Sequence, residues 1–312
     1  MSLLSDQFLS SLIFGSVTAA VPLLLAGCGE QVSEKAGVMN IGLEGMILLG
    51  AYVGFLVAYY EESFWLGFLA GALAGGVVAF VVVAIPCVWM AMNQVIIGLA
   101  LTLVVQGLTA LLQFFQFSHS YPRLPDVDLI PIPLLSDIRI IGPGLFNHQG
   151  LVYISVLICI GLSLVFRFTH FGMNLTAAGS KPAALDAAGI DVAMTRTVAV
   201  VITGLLAGLG GAFMSEVGGG IFVPLMSNGA GYIGIVLAML ARGKPSIVLG
   251  GSLVYGACLQ ATTAMQVTGI DIPTDVIQML PFAVVIIILV AFGRKSSLPA
   301  ELGIPYFRGQ RG

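Results

Sequence analysis

The sequence predicts an all-α, polytopic helical membrane protein, and three observations support that prediction. The chain has 312 residues, of which 58% are hydrophobic and only 9% are charged, whereas soluble domains carry about 25% charged residues. Apolar runs of roughly 20 residues, the length of a membrane-spanning helix, recur along the whole chain. The alternation of apolar and polar residues that marks a membrane β-barrel is not visible.

Nine hydrophobic segments are predicted, of which the seventh is short and glycine-rich. A short segment of this kind either crosses the membrane in a broken form or enters and leaves on the same side. The nine ranges are 8–27, 38–60, 64–86, 94–116, 150–168, 197–217, 228–241, 246–267 and 274–292.

Lysine and arginine are distributed unequally between the two sides of this arrangement. With nine crossings, one side carries Arg123 and Arg139, and the other carries the remaining cations apart from Lys35. Because cytoplasmic loops are enriched in these residues, we expect the N-terminus outside and the C-terminus inside. The cations on the cytoplasmic side are Arg167, Lys181, Arg196, Arg242, Lys244, Arg294, Lys295, Arg308 and Arg311.

The chain is interpreted as a single transmembrane domain, 1–312, with two long connecting segments. The external segment 117–149 is rich in proline, which precludes a continuous helix, and it forms either a cap or docking surface or a plain linker. The cytoplasmic segment 169–197 contains a predicted short helix, with Pro182 in its first turn and Gly189 at its C-terminal end. That helix either docks into a groove of a cytoplasmic partner or serves as a connector.

The stretch from Ser33 to Gly54 is polar in a place where apolar residues are expected. It contains Asn40 and Glu44, and the glycines Gly37, Gly42, Gly45 and Gly50 are expected to interrupt the helix. Buried carboxylates in membrane segments face protein or a water-filled path. Glu44 is therefore either a group of the translocation path or a structural carboxylate bound to backbone, whereas Asn40 suits backbone capping better than substrate contact.

Two further polar residues, Gln106 and Gln113, lie seven apart on one face of the fourth predicted helix, where they line a polar seam or bond a neighbouring helix. Glycines spaced four apart predict close helix packing in two segments. These are Gly67, Gly71 and Gly75 in one segment and Gly204 and Gly208 in the other.

Four ordered motifs resemble those of one protein family. The motifs are KAGVMNIGLEGMILLGAYVG, NQVIIGLALTL, AAGSKPAALDAAGIDV followed by TGLLAGLGGA, and the tail SSLPAELGIPYFRGQR. They are similar to the membrane subunits of bacterial ABC importers for simple sugars and nucleosides, and NIGLEGM fits the nucleoside-type subset better. The resemblance covers about residues 20–311.

The resemblance implies a permease subunit in the bacterial plasma (inner) membrane. The segment Thr176–Val192 would be the coupling helix that fits a cleft of the cytoplasmic ATPase, and 37–45 would form part of the translocation path. A second, different permease and an extracytoplasmic binding protein would complete the transporter. The expected coupling residues are Gly179, Lys181, Ala184, Asp186, Ala187 and Gly189, and the expected path residues are Asn40, Gly42, Glu44, Gly45, Gln106 and Gln113.

No enzymatic activity is expected of the chain itself. The phosphate-binding sequence GxxxxGK[ST] is missing from it, so ATP and Mg²⁺ would be bound by the partner ATPase. No metal site, cofactor or nucleic-acid partner is predicted, and the remaining partners are membrane lipids. The rival hypothesis is an ion-coupled secondary transporter that uses Glu44 as its proton or ion site.

Overall fold

The computed structural model describes residues 6–118, 120–267, 274–292 and 298–308, and most of these residues are helical. His119, Arg294, Lys295 and Arg311 lie outside the described residues. In chain order, the elements are α1 Asp6–Lys35, α2 Leu43–Glu61, α3 Phe64–Val78 with a π-helical continuation Ala79–Trp89, α4 Gln94–Phe117, β1 Leu129–Pro131, α5 Ile141–Leu145, β2 Asn147–Gln149, α6 Gly150–Phe168, α7 His170–Ser180, α8 Pro182–Ala187, α9 Val192–Phe213 with a π-helical turn Met214–Gly219, α10 Ala230–Ala241, α11 Pro245–Val267, α12 Thr274–Gln278 and α13 Leu280–Phe292.

Seven helices among the described residues are long and apolar enough to cross a membrane. They correspond to seven of the nine predicted segments, and the other two appear as the shorter apolar helices Ala230–Ala241 and Val276–Val290. Large apolar side chains are exposed along α4, α6 and α13, as expected for helices that face lipid. The coarse prediction of a polytopic helical membrane protein is therefore confirmed.

Three glycine-bearing helices, α2, α3 and α9, pack almost backbone to backbone. A Cβ atom at Gly75 would lie 2.9 Å from the Cα of Gly208 and would overlap the carbonyl oxygen of Gly204. A Cβ at Gly71 would lie 2.7 Å from the carbonyl oxygen of Gly50. The predicted close packing through Gly71, Gly75, Gly204 and Gly208 is confirmed, and the hydrogen-only side chains are what allow it.

The first predicted segment ends too early, because α1 continues past residue 27 to Lys35. Hydropathy falls in this last part of the helix, where Glu30, Gln31, Ser33 and Glu34 follow one another. All four side chains are buried against protein. A hydropathy pattern ends a segment at its polar residues, whereas burial and intrahelical hydrogen bonds continue the helix through them.

The expected break in the Ser33–Gly54 stretch is smaller than predicted. The helix is interrupted only between Lys35 and Leu43, where Gly37 adopts a φ of +86°. Gly45 and Gly50 lie inside α2, so the expectation that they interrupt the helix is wrong. Both glycines instead provide close packing, since Gly45 contacts Thr102 of α4 and Gly50 contacts Gly208 of α9.

The segment between α4 and α6 folds back onto the bundle. Its strands β1 and β2 pair antiparallel, with Ile130 opposite His148. The buried His148 ring stacks on Phe14 of α1 at a centroid distance of 4.5 Å, and its Nε2 lies 2.9 Å from the carbonyl oxygen of Gly144. Burial lowers the pKa of His148, which favours the neutral ring in this contact.

The segment 169–197, predicted to be cytoplasmic, contains two helices, α7 and α8, and α9 starts at Val192, before the predicted residue 197. The predicted ends of the short helix α8 are confirmed: Pro182 occupies its first turn, and Gly189 follows it with a φ of +84°. The N–H of Ile190 donates to the carbonyl of Leu185, and that of Gly189 donates to Asp186. This pair of hydrogen bonds is a Schellman motif.

Candidate functional site

Glu44 lies at the start of α2 and binds the N-terminal end of α10. Its Oε1 accepts hydrogen bonds from the Ser227 hydroxyl at 2.6 Å and the Gly229 N–H at 2.8 Å, and its Oε2 accepts one from the Gly231 N–H at 2.6 Å. The side chain is only 2% exposed. A carboxylate is stabilised at a helix N-terminus because the free N–H groups and the helix dipole favour negative charge. Of the two alternatives offered for Glu44, this geometry matches the structural carboxylate bound to backbone.

The neighbouring path candidates lie in tightly packed backbone. The Asn40 N–H donates to Glu30 Oε1 at 3.1 Å, and its Nδ2 lies 3.3 Å from the Met46 sulfur. A Cβ at Gly42 would lie 3.4 Å from the Cα of Gly98, and a Cβ at Gly45 would lie 3.1 Å from that of Thr102. Gly42 and Gly45 therefore bring the break and α2 close to α4.

The two glutamines of α4 differ in their surroundings. Gln113 is buried, and neither polar atom of its side-chain amide has a partner among the described residues. Gln106 is half-buried. The helix places both on one face, as predicted, but the structure brings neither to the polar cavity described below.

A cavity of about 550 Å³, here called the chamber, lies between α1, α11, the π-helical turn after α9 and the segment that precedes α10. The polar side chains that line it are Thr18, Gln149, Ser227, Asn228, Tyr255 and Gln260. None of the six predicted path residues lines the chamber. One predicted path residue, Glu44, contacts the chamber wall indirectly, because the hydroxyl of the lining residue Ser227 donates a hydrogen bond to its Oε1.

Sequence reasoning did not select the residues of the chamber. They come from four separate parts of the chain: Thr18, Gln149, the pair Ser227–Asn228, and Tyr255 with Gln260. A usable sequence signal was the position of three amides, Gln149, Asn228 and Gln260, at or inside predicted spans.

Other buried polar groups lack partners among the described residues. Glu216, in the π-helical turn, is 2% exposed, and neither of its carboxylate oxygens has a hydrogen-bond partner. A Cβ atom at Gly54 would lie 2.9 Å from its Oε1, so the glycines of α2 and α3 leave room for this side chain. Near the break, the Gln31 amide and the Glu30 Oε2 are also unpartnered.

The predicted coupling residues separate into an exposed and a buried group. Lys181, Ala184, Ala187 and Gly189 are exposed on α8 and at its ends, where a shallow groove of about 600 Å³ lies between α7 and α8. Gly179 is buried: a Cβ there would lie 2.9 Å from the Gly37 nitrogen and would overlap the carbonyl oxygen of Lys35. Gly179 therefore joins α7 to the break and is not available to a partner.

Arg196 of α9 holds that junction together. Its guanidinium, in a residue only 3% exposed, donates to the carbonyls of Ala36 at 3.1 Å, Ala178 at 3.1 Å and Ile304 at 2.8 Å. These carbonyls belong to the break, to α7 and to the C-terminal segment 298–308. Arg196 was predicted only as a cytoplasmic cation, so its position as a buried link is a new finding.

Asp186 binds the same C-terminal segment. Its Oδ2 lies 3.3 Å from Arg308 Nε and accepts a hydrogen bond from the Tyr306 hydroxyl at 3.2 Å. The N–H of Glu301 donates to Gly179 at 2.9 Å, and that of Gly303 donates to Gly37 at 2.9 Å. The segment 298–308 therefore lies across α7, α8 and the break.

Comparison with known proteins agrees with this architecture. Residues 12–289 match the family model described as branched-chain amino acid transport system, permease component. The chain is 35% identical to TsgC13 of Haloferax volcanii, provisionally named a glucose ABC transporter permease protein, over 80% of this chain and 76% of the relative. It is 28% identical to NupQ of Bacillus subtilis, a guanosine ABC transporter permease protein, over 98% and 99% of the two chains.

A third relative, NupC of Lactococcus lactis subsp. cremoris, is a nucleoside ABC transporter permease protein that is 29% identical over 93% of this chain and 95% of the relative. No solved structure matches the chain. The match to the family model covers most of the chain, and the apolar helices fit a multi-pass membrane protein. The chain therefore belongs to the family of permease components of the branched-chain amino acid transport system, as an ABC transporter permease.

Proposed function

We propose that this chain is the permease subunit of an ATP-driven importer and carries a nucleoside, or a related simple sugar, delivered by an external binding protein. The observation that carries the proposal is the cytoplasmic arm formed by α7 and α8. Its outer face is exposed and lined by small residues, and its inner face is bound through Gly179 and Arg196 to the break beside α2. A partner that moves this arm also moves the membrane helices.

The nucleoside class is supported by the relatives that match nearly end to end. NupQ and NupC are named for guanosine and nucleosides, whereas TsgC13 is named for glucose. A nucleoside and a sugar share an uncharged, hydroxyl-rich surface, which suits the amide and hydroxyl groups that line the chamber.

The proposed orientation places the N-terminus outside and the C-terminus inside. Gly220, after the π-helical turn, accepts a hydrogen bond from Leu124 of the proline-rich segment, whereas Gly243, after α10, lies against Lys35 at the other end of α1. The seventh segment is therefore proposed to cross as a broken span, with turns over 224–229 followed by the helix α10, and this would give nine crossings. Arg167, Lys181 and Lys244 then lie on the cytoplasmic side.

The arm is proposed to dock into the cytoplasmic ATPase, which binds ATP and Mg²⁺ and performs the hydrolysis. The exposed residues Lys181, Ala184, Ala187 and Gly189 would contact the ATPase, while Asp186 fixes the C-terminal segment beside them. A second permease, different from this one as in the nucleoside-type systems that the sequence resembles, would complete the membrane domain in the plasma membrane.

The rival hypothesis of an ion-coupled transporter needs a carboxylate that gains and loses a proton or cation. Glu44 is poorly suited to that task, because both of its oxygens are bound to the start of α10. Glu44 is therefore proposed to fix the turns before α10. The energy of ATP hydrolysis is proposed to reach the membrane helices through the arm.

Reconstitution tests the proposal directly. Proteoliposomes that contain the two permeases and the ATPase, supplied with loaded binding protein, should take up radiolabelled uridine only when ATP is present on the side of the ATPase. Uptake that follows a proton or sodium gradient without ATP would refute the ATP-driven mechanism and support the rival.

The arm is tested separately by Asp186→Arg, which replaces the ion pair by two like charges, the new guanidinium and that of Arg308. We expect weaker co-purification of the ATPase with the permease, while the membrane domain keeps its unfolding temperature, because the ion pair is largely exposed on the Arg308 side. Asp137→Arg, in the proline-rich segment, is the matched control. Unchanged ATPase binding and unchanged uptake in Asp186→Arg would contradict the docking assignment.

A further inference from the structure

We propose that the chamber is a holding site for an uncharged substrate, and that Gln149 and Gln260 are the side chains that hydrogen-bond it. The inference rests on the proposed function, and it assigns a part of the translocation path to the chamber of this chain. It also separates this chain from carriers of amino acids, for which its family is named.

The chamber has the size and position of a substrate site. At about 550 Å³ it lies in the range of roughly 300–1,000 Å³ found for small-molecule sites. It is bounded by the outer half of α1, by α11 and by Gln149, the last residue before α6. Its opposite wall is formed by the turns that precede α10. Transporters with interrupted helices bind their substrates at such places.

Two amides, Gln149 and Gln260, line the chamber, and Gln149 carries a buried acceptor without a partner. Gln149 is 8% exposed, and its Oε1 has no hydrogen-bond partner among the described residues although it is buried. A buried, unpartnered acceptor is costly unless a ligand or water satisfies it. Gln260 extends from α11 toward Gly15 of α1, where a Cβ atom would lie 2.7 Å from its Nε2, so the missing side chain makes room for the amide.

The absence of charged side chains from the described lining of the chamber disfavours ionic substrates. No Asp, Glu, Lys, Arg or His is among the described residues that line it. The start of α10, which would otherwise attract an anion, is already occupied because the Gly229 and Gly231 N–H groups donate to Glu44. A zwitterionic amino acid would leave both its ammonium and its carboxylate uncompensated there, at a large desolvation cost.

The remaining wall suits a flat apolar face. Leu23, Met214, Met226 and Leu259 line the chamber together with the polar groups. Methionine side chains are flexible and polarisable, so they adapt to ligands of different outline. An uncharged molecule with a planar face and a hydroxyl-rich edge, which describes a nucleoside, meets both kinds of wall.

The test uses the complete transporter in proteoliposomes with internal ATP and loaded binding protein. Gln149→Leu and Gln260→Leu should each lower uridine uptake roughly tenfold, the size expected for one hydrogen bond lost to a buried group. ATP hydrolysis stimulated by the loaded binding protein should remain, which shows that both variants fold and assemble. Gln116→Leu, whose amide bonds Tyr60 away from the chamber, is the matched control and should stay within about twofold of the wild type.

Three results would overturn the inference. Uridine uptake at the wild-type rate in both chamber variants would show that the chamber is not used. Uptake of radiolabelled leucine that uridine does not inhibit would show that the substrate is zwitterionic. If the wild-type complex moves neither uridine, glucose nor leucine, the proposed function fails, and the chamber is then tested by protection of Gln260→Cys in a Cys258→Ser background. Uridine that does not slow modification of this cysteine by methyl methanethiosulfonate would exclude binding in the chamber.

Discussion

At Glu44, a buried carboxylate accepts three hydrogen bonds from Ser227, Gly229 and Gly231, which all belong to one short stretch of chain. At Arg196, a buried guanidinium donates three hydrogen bonds to carbonyls that lie in three different parts of the fold. The anion accepts hydrogen bonds from N–H and O–H donors at the start of a helix, and the cation donates to carbonyls at the ends of α1 and α7 and in the non-helical segment 298–308. In both places a charge satisfies backbone groups that a chain break leaves without partners.

The difference between the two junctions lies in what each one connects. The Glu44 junction fixes the turn that precedes α10 and thereby one wall of the chamber. The Arg196 junction joins the arm, the break beside α2 and the C-terminal segment into one unit. We therefore expect damage at Arg196 to affect stability and coupling together, and damage at Glu44 to have a smaller effect on stability, centred on the chamber wall.

The largest effect is expected for Arg196→Met, which leaves three carbonyls without their donor. Each unsatisfied buried group costs about 1 kcal/mol or more, so the free energy of unfolding should fall by about 3 kcal/mol. Thermal unfolding in detergent measures the change, and ATP-driven uptake should be lost in the same variant. Arg167→Met, which replaces an exposed arginine stacked beside Phe168, is the control; an equal loss in both variants would contradict the role of Arg196 as a link.

A smaller effect is expected for Gly179→Ala, which tests the same junction by crowding. The new methyl group would overlap the carbonyl of Lys35, and overpacking of this kind costs about 2 kcal/mol. The control is Gly161→Ala in α6, where no atom lies within 4 Å of the new Cβ and helix propensity favours alanine. The two variants should therefore shift the unfolding temperature in opposite directions, and a destabilisation that is equal in both would show that Gly179 is not packed as described.

At the other junction, Glu44→Gln keeps the shape of the side chain but removes its charge and one acceptor. We expect a loss of about 1.5 kcal/mol in the free energy of unfolding, because a backbone N–H of α10 then faces an amide nitrogen. Glu61→Gln, at the exposed end of α2, serves as the control. ATP-driven uptake should fall, and neither protein should depend on a proton or sodium gradient. A gradient dependence of the wild type that Glu44→Gln abolishes would identify Glu44 as an ion site.

The smallest effect is expected for Ser227→Ala, which removes one of the three donors to Glu44 and should cost about 1 kcal/mol. In a double-mutant cycle with Glu44→Gln, the two losses should be non-additive by at least about 0.5 kcal/mol. The same cycle with Thr109→Val, whose hydroxyl bonds the Val105 carbonyl in α4, should be additive. Additivity in the Ser227 cycle would show that the hydroxyl does not stabilise the carboxylate.

Local features of this fold could be predicted from the sequence. The apolar runs gave the long helices, the spacing of Gly71, Gly75, Gly204 and Gly208 predicted the close packing, and Pro182 with Gly189 marked the ends of α8. Each depends on residues that are neighbours on one helix. The end of α1 was missed because its last residues are polar but buried, which a hydropathy pattern does not distinguish from a polar loop.

The site was less accessible to sequence reasoning because its contacts are distant in the chain. Glu44 is separated from its partners by 183 to 187 residues, and Arg196 from Ile304 by 108. A count of cations cannot tell a buried arginine from one in a loop. The polar residues of the chamber come from four separate parts of the chain, so only the folded arrangement shows that they face one cavity.

The segment 298–308 has a consequence for biogenesis. Ile304 supplies one of the three carbonyls bound by Arg196, and it is synthesised 108 residues after that arginine. While α10 to α13 are being inserted into the membrane, the guanidinium lacks this partner and Gly179 lacks the N–H of Glu301. The arm therefore gains its last hydrogen bonds only after the C-terminal segment 298–308 has been synthesised.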